Sequence, residues 1–146
     1  MTSVPTTVTD LRDAPRLGPL QVAVCVLSAV TALVHLGLAV VTAAMAASGG
    51  SGVEKNGGAA ALGVMAVLFL LSFAGYVALP LAQYRPGPAR RHILARQGLI
   101  VWTAGNVVAY AALVAGHYDA FGVADKACEL ALIVLLVVEG RWRRAA

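Results

Sequence analysis

The sequence predicts an all-α protein: a four-helix transmembrane bundle, up-down-up-down, with both termini on the cytoplasmic side. Three observations predict it. Only 12% of the 146 residues are charged, 60% are hydrophobic, and the mean hydropathy is +0.81. A soluble domain carries about a quarter of its residues charged, because it needs a wetted surface. Four apolar blocks follow one another along the chain. Arginines crowd alternate connections between those blocks, the pattern expected when loop cations stay on the cytoplasmic side.

Residues 1–19 are polar, with three prolines and the charges Asp10, Arg12, Asp13 and Arg16. No helical or strand period runs through them, so they read as a flexible cytoplasmic tail. The first block, residues 20–47, has no Asp, Glu, Lys or Arg in 28 residues. It far exceeds the ~7–15 apolar residues of a signal peptide, so it is expected to span despite the small residues Ala44-Met45-Ala46. The loop SGGSGVEKNGG follows, its glycines making it pliable. Residues 59–83 are uncharged and form the second helix; Pro80, Pro86 and Pro88 are expected to end it and shape the next turn. The third helix is expected over residues 93–116, after the basic segment YRPGPARRHILAR. All three are long enough for a ~30 Å hydrocarbon core, which takes about 20 residues.

The fourth block, over residues 121–139, is marginal, since Asp125, Lys126 and Glu129 lie near its start. Charge bookkeeping decides for a crossing. With four spans and the N-terminus inside, Arg12, Arg16, Arg85, Arg90, Arg91, Arg96, Arg141, Arg143 and Arg144 all flank the cytoplasmic face. Only Lys55 lies outside, beside Glu54. Three spans would strand the C-terminal arginines outside, against the rule for loop cations. The transmembrane domain is therefore residues 20–140, with 141–146 a basic cytoplasmic tail.

Polar residues inside the spans carry the functional information. At 100° per residue, Gln21, Ser28, Thr31, His35 and Thr42 share one stripe of the first helix. Trp102, Asn106, Tyr110 and His117 make a similar stripe on the third, and Asp125, Glu129 and Glu139 one on the fourth. The second helix offers Ser72, Tyr76 and Gln83. A rise of ~1.5 Å per residue puts His35, Asn106 and Glu129 at similar depth in the outer half, and Lys126 one turn further out and pointing outward. An acid at that depth costs about 2.5–3.5 kcal/mol on insertion scales, so Glu129 must face the bundle and find company. The candidate cluster is His35, Asn106, Tyr110, Asp125, Lys126 and Glu129.

Several classes are excluded or unsupported. The net charge of +4 reports orientation and headgroup contact, and no soluble module is present to hold nucleic acid. Cys25 and Cys128 stand apart inside apolar stretches, without metal-ligand or redox spacing. His92 and His117 are placed near opposite faces, so no metal and no cofactor is expected. Nucleophile triads, HExxH and Gly-rich phosphate loops are missing, which argues against an enzyme. Small-xxx-small pairs at Ala74/Ala78, Gly105/Ala109 and Ala112/Gly116 allow close helix approach, so the cluster has a purely structural reading too.

The strings ADKACELALIVLLVVEG and LFLLSFAGYVALPL, with the basic connection RRHILARQGL, resemble a family of short four-helix bacterial integral membrane proteins without assigned function. The resemblance supports four helices and adds no activity, so it assigns no functional residue. Usage rich in Ala, Val, Gly and Arg is compatible with a bacterial cell membrane. The expectation is a small non-enzymatic accessory or scaffold subunit in the bilayer, as a homo-oligomer or with a partner membrane protein. Its rival is a proton- or small-solute-handling protein that uses the His/Glu/Asn cluster.

Overall fold

The computed structural model describes residues 17–49, 58–114 and 119–145. The described chain is all-helical: α1 (Pro19–Ser48), α2 (Gly58–Tyr84), α3 (Ala89–Val114) and α4 (Ala120–Ala145), with no strand among the described residues. By length and composition, α1 and α2 are each long and apolar enough to cross a membrane. The polar tail over residues 1–16, most of the glycine-rich loop, and His117 lie outside the described residues.

Local chemistry sets the helix ends. Pro19 opens α1, where its missing N–H costs nothing, and the Gln21 side chain accepts from the Gly18 N–H at 2.8 Å. Gly49 closes it in the left-handed conformation, φ +62°. Asp119 caps α4 by accepting from the Gly122 N–H at 2.7 Å.

Three differences from the sequence expectation have physical causes. Pro80 does not end α2: it lies inside the helix, buried, and the helix runs on to Tyr84. Proline removes one backbone donor, and packing against neighbouring helices tolerates that loss. Helix α3 begins at Ala89, before the expected 93, directly behind the restrictive Pro86-Gly87-Pro88 turn. Residues 141–145, read as tail, continue α4, and Arg143 reaches back one turn to the Glu139 carboxylate.

The helices form a ring in chain order. Neighbours α1/α2, α2/α3, α3/α4 and α1/α4 pack against each other, while the diagonals α1/α3 and α2/α4 make no such backbone approach. Side chains pair antiparallel along the seams: Ser72 meets Asn106 while Leu79 lies beside Gly98, and Tyr110 lies on Gly122 while Arg96 lies on Gly140. The centre is a cluster of Val24, Ala32, Tyr76, Leu99, Leu132 and Leu136. The distribution of polarity is inverted relative to a water-soluble bundle. Aliphatic residues such as Leu33, Val40, Val101, Val108 and Val134 are 60–72% exposed, whereas His35, Glu129 and Glu139 are buried.

Candidate functional site

Each helix contributes to the interior through residues spaced three or four apart. In α1 these are Val24, Ser28, Thr31, Ala32, His35 and Ala39. In α4 they are Asp125, Glu129, Leu132, Leu136 and Glu139. On α3 the buried face runs through Ala95, Leu99 and Thr103. This corrects the expected stripe: Trp102 is exposed and Asn106 only half-buried, because these two face the α2 seam and not the bundle axis, while Tyr110 turns to α4.

Glu129 is fully buried and organises a polar cluster towards the end of the bundle where α4 begins. Its Oε1 accepts a hydrogen bond from the Tyr76 hydroxyl at 2.9 Å, a contact that crosses the α2/α4 diagonal. The His35 Nε2 lies 3.7 Å from the same oxygen. Its Oε2 is 2.8 Å from the Lys126 ammonium, which also sits 2.8 Å from Asp125 Oδ2. Asp125 Oδ1 is buried and has no hydrogen-bond partner among the described residues.

Lys126, expected one turn further out and pointing outward, is instead largely buried and paired with both acids. Two carboxylates in a low-dielectric interior hold the ammonium there. The Tyr110 ring completes the enclosure, with the Lys126 ammonium 5.5 Å from its centroid. Gly122 makes room for it: a Cβ there would fall 2.7 Å from the Tyr110 Cζ.

His35 is oriented by its own helix. Its Nδ1 bonds the Thr31 carbonyl oxygen at 2.9 Å, and a carbonyl can only accept, so Nδ1 carries the proton. That leaves Nε2 facing the acids. One ligand atom each from His35, Asp125 and Glu129 lie within 4.8 Å of one another. A backbone carbonyl holding the far ring nitrogen is the arrangement that orients metal-ligating histidines. The sequence alone leads to no metal here, because the convergence of α1 with α4 is not visible in either segment.

Of the six candidate residues, the structure gathers His35, Asp125, Lys126 and Glu129, with Tyr110 stacked beside them. Asn106 stands apart: its Oδ1 accepts from the Ser72 hydroxyl at 2.8 Å, and its Nδ2 donates to the Trp102 carbonyl. Both groups border one cavity of about 280 Å³, lined by His35, Phe69, Ser72, Asn106, Tyr110 and Lys126 and reaching the exposed Asp119 at the start of α4. Tyr76, outside the six expected residues, joins the cluster through its bond to Glu129. Its signal was present, since Ser72, Tyr76 and Gln83 share one face at helical period and are all buried.

A second polar layer lies at the other end of the bundle. Glu139 Oε2 accepts from Gln83 Nε2 at 2.8 Å and from the Tyr84 hydroxyl at 3.0 Å. Its Oε1 accepts from Arg143 Nε at 3.0 Å and Nη2 at 2.7 Å.

Comparison with protein-family models, with curated proteins and with solved structures finds no match to this chain.

Proposed function

We propose that the chain is a multi-pass cell-membrane protein, with both termini cytoplasmic, that binds a small cationic solute or a proton at the His35–Asp125–Glu129 cluster, without catalysing a reaction. The observation that carries this reading is charge. Asp125 and Glu129 are buried against a single ammonium, so the cluster holds one carboxylate more than it has fixed cations, beside a cavity of about 280 Å³. A buried charge without compensation is expensive, and a proton or a bound cation removes the imbalance. The inverted polarity of the bundle supports immersion in lipid, and the arginine asymmetry supports the orientation.

The orientation is checked by single cysteines introduced in the 48–58 loop and at the C-terminus. In intact cells an impermeant maleimide is expected to label the loop, and to reach the C-terminus only after permeabilisation. The reverse pattern removes the proposed topology.

Binding is checked in weakly buffered detergent solution with guanidinium, tetramethylammonium and Mn²⁺ as probes. Adding a cation that binds is expected to release protons from the wild type, and not from Glu129→Gln or His35→Ala at equal folded yield. If both variants lose folding to the same degree as binding, the cluster is structural glue.

The accessory-subunit reading has its own observation. Ala74, Ala78, Gly105 and Ala109 are exposed on the outer surface of α2 and α3, where small residues let another helix approach closely. A well-folded wild type that responds to no cation would leave that reading standing.

A further inference from the structure

The inner end of the bundle carries a second cavity, of about 540 Å³, that the outer cluster does not touch; it is lined by Gln83, His92, Arg96, Gln97, Gly140 and Arg143. We propose that it is a binding site for the phosphate of an anionic, hydroxyl-bearing phospholipid headgroup such as phosphatidylglycerol.

Four observations converge on that chemistry. First, the pocket has a surplus of positive charge: Arg143 is offset by Glu139, and among the described residues no acid pairs with Arg96. Arg90 and Arg91, on the adjoining turn of α3, add to the field. Second, Arg96 reaches across from α3 to lie over Gly140 of α4, where an added Cβ would come within 2.9 Å of its Cζ. A planar guanidinium laid against backbone is held in place to present its edge to an oxyanion. Third, Arg143 spends Nε and Nη2 on Glu139, and those bonds leave Nη1 outside the ion pair. Fourth, Gln83 Oε1 is buried with no hydrogen-bond partner among the described residues. A phosphate cannot satisfy that acceptor, whereas a headgroup hydroxyl can.

The site's position selects the source. The pocket sits where the arginine-rich end of the bundle meets its aliphatic outer surface, and basic pockets between spanning helices on the cytoplasmic side take anionic headgroups. The inference shares only the bilayer placement with the proposed function, so the cation-release experiment and the test below fail independently.

The full chain, purified and delipidated in detergent, is titrated with phosphatidylglycerol, with phosphatidylcholine and with inorganic phosphate while its thermal unfolding midpoint is followed. Phosphatidylglycerol is expected to raise the midpoint, with phosphatidylcholine and inorganic phosphate weaker at equal concentration. Arg96→Gln is expected to weaken the phosphatidylglycerol response by about tenfold or more in half-saturating concentration. Arg96→Lys should retain part of the response, and the exposed Arg141→Gln should retain all of it. Equal responses of the wild type to phosphatidylglycerol and phosphatidylcholine overturn the site, whatever the variants do. Inorganic phosphate acting alone as strongly as phosphatidylglycerol overturns the lipid assignment.

Discussion

Replacing Lys126 with methionine is expected to destabilise the folded protein by about 3–5 kcal/mol, the cost of stripping the partner from a buried ion pair. Its ammonium stands 2.8 Å from a carboxylate oxygen of both Asp125 and Glu129, and Glu129 is inaccessible to solvent. Without it, two acids face each other, and the Tyr76 hydroxyl and the His35 ring beside Glu129 bring no fixed positive charge. The loss belongs to the charges and not to the lysine's shape. Adding Asp125→Asn and Glu129→Gln to Lys126→Met should therefore recover most of the stability, and the single and triple variants together form the decisive comparison. Denaturant unfolding in mild detergent reads both. A Lys126→Met protein as stable as the wild type would mean that the acids are neutralised in some other way.

At the opposite end, Glu139→Leu is expected to cost about 2–3 kcal/mol, measured by the same unfolding. Leucine takes the acceptor from the half-buried Tyr84 hydroxyl and leaves the buried Gln83 Nε2 only its 3.1 Å bond to the Tyr84 oxygen. Arg143 suffers less, since its side chain is 44% exposed and returns to water. Glu139→Gln keeps an acceptor in place and should cost under about 1 kcal/mol, in line with the modest worth of hydrogen bonds between spanning helices. Equal costs for the two substitutions would show that charge, not hydrogen-bond satisfaction, holds this layer together.

Much of the bundle was legible because helical period turns a linear sequence into faces. The stripe through Ser28, Thr31 and His35 is buried as its spacing requires, and Asp125, Glu129 and Glu139 share the inward face of α4 with Leu132 and Leu136. Glu129 stood out for an energetic reason, since an acid amid apolar residues demands a partner. What periodicity cannot supply is the rotation of one helix against the next. That is why the spacing alone groups Asn106 with Glu129 although it bonds Ser72, and gives no sign that Tyr76 crosses the diagonal to Glu129. Burial of a long side chain is hidden as well: Lys126 is paired with both acids in a field that exists only after α4 has folded. Pro80 illustrates the same limit, because a residue that breaks isolated helices persists where neighbours support it.

The cluster of Val24, Leu99, Leu132 and Leu136 lies between the two carboxylate layers, which are ten positions apart on α4, about 15 Å along its axis. At an effective dielectric of ~20, two unit charges that far apart interact by about 1 kcal/mol, so a change of charge at one layer is felt only weakly at the other. Any larger coupling between the two ends has to come from movement of the helices that carry both layers.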